Sequence, residues 1–204
     1  MRKFRLTVSA LAAFANAACA CATTTANAAI SDLFNTGVGS SGAVLPGGTI
    51  GDPHYTLVLA PSGSTTDIRV RTSARGYPIP PYVGDDTLSA WIGPNNDSAL
   101  RGPVGNYEYH TTFMVGAGDN PATISITGRY STDNEGVDIL LNGHSTGITN
   151  KAQYTSWSPF SITRGFVAGT NTLDFIVHND GGPTALRVEM TGAVATISQL
   201  SLGR

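Results

Sequence analysis

Along the second half of the chain, apolar and polar residues alternate with period two. Tyr107, Tyr109, Thr111 and Phe113 alternate with Glu108, His110, Thr112 and Met114, and Ile124, Ile126 and Tyr130 with Ser125, Thr127 and Arg129. Leu173, Phe175 and Val177 alternate with Asp174, Ile176 and His178, and Leu186, Val188 and Met190 with Arg187, Glu189 and Thr191. Successive side chains of a strand point to opposite faces, so each stretch predicts a strand with one buried and one mostly polar face, as in antiparallel sheets. No helix is predicted: apolar residues nowhere recur at i, i+3, i+4 and i+7 over three turns, and Gly and Pro interrupt too often.

Turn chemistry separates the strands. Asn142-Gly143 sits between Val137–Leu141 and His144–Ile148, and this dipeptide supplies the two positive-φ residues of a tight hairpin. Asp180-Gly181-Gly182 and Gly118-Asp119-Asn120-Pro121 punctuate the chain in the same way. Many short strands at such spacing predict an all-β fold, an antiparallel β-sandwich of the jelly-roll type. Residues 31–106 are less regular, with weaker strands near His54–Leu59 and Asp67–Arg71. The segment Gly76–Gly93, with Tyr77, Tyr82 and Trp91, predicts a long ordered loop; loops of that length are uncommon and often functional.

The amino terminus changes which residues enter the fold. Arg2, Lys3 and Arg5 precede an apolar run, Leu6–Ala18, and then Ala26-Asn27-Ala28, which is the order of a secretory signal peptide. Residues 1–28 are therefore expected to be a leader and 29–204 a single domain, secreted or at the cell surface. Cys19 and Cys21, the only cysteines, lie in that leader; lipidation of either is the alternative reading. The chain has 12 basic and 14 acidic residues. Losing the three basic residues of the leader leaves 9 against 14, a net charge near −5. That balance disfavours nucleic acid and anionic membrane surfaces as partners, and no membrane-spanning segment is expected in the mature chain.

Residues 136–191 carry a resemblance. Val137-Asp138-Ile139-Leu140-Leu141-Asn142-Gly143, Ser158-Pro159-Phe160-Ser161-Ile162-Thr163 and Phe166-Val167-Ala168-Gly169-Thr170-Asn171-Thr172-Leu173-Asp174-Phe175-Ile176-Val177 resemble the sugar-binding-like β-sandwich of family 2 glycoside hydrolases, within the galactose-binding-like superfamily. The resemblance implies a galactose-binding-like sandwich, a carbohydrate ligand and a structural calcium. Asp52-Pro53-His54-Tyr55, Trp91-Ile92-Gly93-Pro94, Thr132-Asp133-Asn134 and Gly182-Pro183-Thr184-Ala185-Leu186-Arg187-Val188 also look like extracellular bacterial proteins that carry a PEP-CTERM sorting tail. This sequence ends at Ser201-Leu202-Gly203-Arg204 without that tail, so free secretion is expected.

Three constellations bear on chemistry. Gly143-His144-Ser145-Thr146-Gly147 fits the G-x-S-x-G nucleophile elbow, with Asp174 and His178 following in hydrolase order. An elbow must run from strand into helix, and none is predicted after it. Asp174 and His178 also lie about 13 Å apart along one strand. A hydrolase is thus the least favoured reading, and Glu108 and Glu189 read as solvated charges on polar sheet faces. Asp133-Asn134-Glu135 offers clustered oxygens for calcium, or else is a plain Asx-rich turn. Tyr77, Tyr82, Trp91, Asn95, Asn96 and Arg101 combine aromatic faces with planar polar groups, the pair of chemistries that sugars require; the alternative is that the aromatics plug the end of the sandwich. The expected function is a non-catalytic carbohydrate- or extracellular-matrix-binding module. A structural or adhesive surface protein is the alternative, favoured by the low charge (13%) and 24 glycines.

Overall fold

The computed structural model describes residues 24–198 apart from 31, 49, 50, 96 and 98. The described residues form eleven strands: β1 (Thr24–Ala29), β2 (Thr56–Leu59), β3 (Ile68–Arg71), β4 (Trp91–Pro94), β5 (Gly105–Val115), β6 (Ile124–Asp133), β7 (Glu135–Leu141), β8 (His144–Ser145), β9 (Ser158–Ile162), β10 (Gly169–Asn179) and β11 (Ala185–Ser198). Three single-turn 3₁₀ segments are the only helical pieces among the described residues.

The strands form two antiparallel sheets. One runs β3-β4-β11-β6-β9, with β1 added beside β11; the other runs β2-β5-β10-β7-β8. The sheets close face to face as an antiparallel β-sandwich, the fold class expected from the alternation. Tyr107, Tyr109 and Phe113 of β5 and Leu173, Phe175 and Val177 of β10 are buried in one core with Ile126 and Tyr130 of β6, Phe160 of β9 and Val188 of β11. Phe160, from the SPFSIT segment, meets Tyr130 at 5.7 Å and Phe175 at 6.2 Å between ring centroids. It thereby joins both layers at edge-to-face geometry, the favoured arrangement for aromatic pairs.

The Asn142-Gly143 hairpin forms as its sequence requires: φ is 52° and 75° at the two residues, and Leu141 faces His144 across the ladder. Asn142 also locks a neighbouring strand start. Its Nδ2 donates to Gly165 O and Asn171 Oδ1, and its Oδ1 accepts from Thr172 N. Asp52 braces the irregular first half, its carboxylate accepting from the backbone N–H groups of Gly37, His54 and Tyr55.

Two features depart from the sequence pattern. Most of β1 falls in the stretch read as leader. Its TTANAA sequence has no apolar alternation, but β11 is 14 residues long and meets β4 only at Leu186. The far half of β11 would otherwise have an open backbone edge, and β1 fills it from Thr24↔Ser198 to Ala29↔Ala193. Residues 1–23, including Cys19 and Cys21, lie outside the described residues. The second departure is the long loop before β4, which folds over the outer face of the β11 sheet and buries polar side chains there.

Candidate binding surface

The residues expected to bind a ligand do not converge. Trp91 is 0% and Tyr77 2% exposed. Trp91 Nε1 donates to Val83 O at 2.9 Å, and Tyr77 and Tyr82 pack edge-on against its ring at 6.2 and 5.8 Å. Tyr82 stacks in turn on Tyr154. These rings form a second buried cluster with Leu100 and Ala185, apart from the main core, so the expectation that Trp91 and Tyr77 present their faces to a ligand is corrected. Burying large rings with their N–H satisfied is the more stable use of them. Asn95 is half-buried, its backbone N–H donating to Asp67 O. Arg101 lies 3.9 Å from Asp97 at the surface, and Asn96 lies outside the described residues.

The acidic turn also diverges. Asp133 is 2% exposed and its Oδ2 accepts from the Tyr82 hydroxyl at 2.6 Å. Asn134 Oδ1 accepts from Asp180 N, while Glu135 pairs with Lys151. The three side chains expected as calcium ligands therefore face three different partners. Among the described residues no group of three or more His, Cys, Asp or Glu is arranged to hold a metal. Burial above all pushes the Asp133 carboxyl up to about 6, the Tyr82 hydrogen bond opposing and the nearby Asp180 charge reinforcing it.

The G-x-S-x-G stretch is a hairpin rather than an elbow. Ser145 Oγ accepts from Gly147 N, and no helix follows. Asp174 is bound to His110 Nδ1 at 2.5 Å and His178 to Asn106 Oδ1 at 2.6 Å. Neither is joined to Ser145.

Alternation along β11 does not signal what lies on the outer face of its sheet. Arg187 and Glu189 occupy polar alternate positions of β11, yet Arg187 is 0% and Glu189 7% exposed. The reading of Glu189 as a solvated charge is thereby corrected, because the loop crosses above it. Arg187 Nη2 lies 2.9 Å from Asp86 Oδ1, its Nε donates to Ser89 Oγ, and its Nη1 donates to Gly84 O. Glu189 accepts from Ser89 Oγ and from Arg129 through Nε at 2.7 Å and Nη2 at 2.6 Å. Both arginine nitrogens converge on Glu189 Oε2, while Oε1 is held by Ser89 Oγ; such charge-assisted bonds are stronger than neutral ones.

Trp157 completes the array. The guanidinium carbons of Arg129 and Arg187 lie 4.4 and 5.0 Å from its ring centre, within cation–π range. Desolvation works against the charge on Asp86, but the Leu88 amide, the contact with Glu189, Arg187 and the Ser89 amide outweigh it and hold its carboxyl below the usual range. Beside this network runs an open groove of about 560 Å³, with Leu88, Pro159 and Met190 as apolar walls and Asn35, Arg129 and Glu189 as polar ones. Strand parity places Trp157, Pro159 and Ser161 on one face of β9.

The sequence matches no family model and no curated protein. Among solved structures, CBM35 from Paenibacillus barcinonensis aligns with 72% of this chain and 94% of its own, at 21% identity and a TM-score of 0.34. A superposition that loose does not bear on what this chain binds. No helix among the described residues is long and apolar enough to cross a membrane.

Proposed function

We propose that the protein is a secreted, non-catalytic module that binds a carbohydrate, such as an extracellular-matrix glycan, in the groove on the outer face of the β11 sheet. The observation that carries this reading is the Arg129–Glu189 pair, its guanidinium over the Trp157 ring, beside a groove with apolar walls. Sugars present hydroxyl groups around apolar C–H faces. Fixed planar donors and acceptors beside apolar side chains match both, and their fixed geometry lowers the ordering cost of binding. Glycosidic catalysis would need one carboxyl free to donate a proton and another to attack or activate water. Here Asp86 and Glu189 are both committed to arginines.

Glycan-array screening and affinity electrophoresis on insoluble and soluble polysaccharides test the reading. Retention is expected, with Trp157→Ala weakening it at least about tenfold, in line with loss of an interfacial aromatic. Absence of retention on every glycan, with and without calcium, would sink it, as would full retention by Trp157→Ala.

A further inference from the structure

On one flank of the sandwich the last strand of each sheet, β8 and β9, lies unpaired on its outer side. There the sheets open into a cleft of about 410 Å³, with Leu141, Ile148 and Ile162 as its apolar base. Its mouth is formed by His144, Ser145, Ser161, Thr163 and Arg164. It is distinct from the groove but adjoins it across β9, since Pro159 lines the groove and Ser161 the cleft.

The charges here are arranged unlike those of the groove. Arg129 and Arg187 are tied to carboxylates, whereas no Asp or Glu lines the flank cleft. Neither Arg164 nor His144 makes a side-chain hydrogen bond or ion pair with any described residue. The hydroxyls of Ser161 and Thr163 are likewise uncommitted, and Ser145 Oγ only accepts, from Gly147 N, so its O–H is free to donate. In a chain with more acidic than basic residues, a carboxylate-free cleft with a free guanidinium and several free hydroxyl donors favours an anion. A guanidinium fork, an imidazole and three hydroxyls offer more donors than the two oxygens of a carboxylate use comfortably. They suit the three terminal oxygens of a tetrahedral ester, whose geometry an Arg fork can match in bidentate fashion.

We propose that this cleft binds a sulfate or phosphate ester carried on a saccharide, which makes the preferred ligand an esterified glycan. The inference rests on the glycan reading of the groove and extends it by one subsite. Arg164 carries the charge, and Ser145, Ser161 and Thr163 donate to the ester oxygens. Protein beginning at Thr24, which keeps β1, is titrated with four oligosaccharides of matched length: sulfated, phosphorylated, uronate-bearing and neutral. Each is titrated against wild type, Arg164→Ala and Trp157→Ala. Arg164 is exposed and unpartnered, so its removal leaves the fold intact; thermal melting confirms this.

Wild type is expected to bind the sulfated or the phosphorylated chain at least about tenfold more tightly than the neutral one, the preference weakening with added salt; whichever of the two binds more tightly identifies the ester. Arg164→Ala is expected to abolish that preference and leave neutral binding unchanged. Equal binding of ester and neutral chains, tighter binding of the uronate chain, or an unaltered preference in Arg164→Ala overturns the cleft assignment while leaving the glycan reading standing. Binding of none of the four overturns both.

Discussion

Asp133 is buried and holds a short hydrogen bond from the Tyr82 hydroxyl. Its folded carboxyl titrates near 6, against an ordinary value of 3.8, so the native state holds the proton more tightly than the unfolded chain does. Its contribution is therefore complete below about pH 3.8 and is lost as pH rises through about 6, on the order of 3 kcal/mol in total. Asp133→Asn, which keeps an oxygen for the Tyr82 hydroxyl, is expected to be more stable than wild type at pH 7 and equal to it at pH 4. Urea midpoints at four pH values check this, and superimposable profiles for the two proteins would refute it. Arg187 acts in the opposite sense. Arg187→Ala leaves Asp86 only the longer contact with Arg129, at 3.8 Å, beside a buried Glu189, and breaking such a network typically costs about 3–5 kcal/mol. Chemical denaturation should show a loss of that order, with a smaller loss for Arg129→Ala, because Arg129 is 44% exposed.

At the scale of strands and loops, legibility followed geometry. β5, β6, β10 and β11 were readable because each sends apolar side chains into the core at every second position, which writes period two into the sequence even where, as in β11, the other face is also buried. Phe160 was readable as a core residue for the same reason. β1 was not, because a strand recruited only to close a neighbour's backbone needs no apolar pattern. The role of Arg187 and Glu189 was hidden by distance along the chain: their cover, Ser89, is about 100 positions away, and alternation cannot report what crosses above a sheet. Close approach within the sheets is also testable. A Cβ on Gly128 would meet Glu189 O and the Phe160 ring, the latter at 2.8 Å. Gly128→Ala is therefore expected to destabilise by about 1–3 kcal/mol, the usual cost of overpacking. Replacement of exposed Gly118, whose Cβ would meet nothing, should cost far less in the same thermal-melt series.

Across the whole molecule, the sequence conveyed the architecture better than the place where a ligand would sit. The aromatics of the long loop looked like a binding set because they are amphipathic and clustered, yet burial claimed Tyr77 and Trp91. Trp157 carried a weaker signal: it precedes the Ser158–Ile162 strand and shares parity with Pro159 and Ser161, which turns it away from the inward-facing Phe160. That parity is readable from sequence once Phe160 is assigned to the core. The partners of Trp157, Arg129 and Arg187, come from two other strands and required the assembled sheet.

The position of β1 bears on where the amino terminus can be cut. If processing cut the chain after Ala28, residues 194–198 of β11 would lose the backbone partner that Thr24–Ala28 supply, and such an uncovered ribbon recruits strands from other molecules. Protein beginning at Thr24 is expected to stay monodisperse in light scattering, whereas protein beginning at Ala29 should grow into larger species as concentration rises. Five residues within the stretch read as leader would thus set the choice between a solitary molecule and a self-adhering coat.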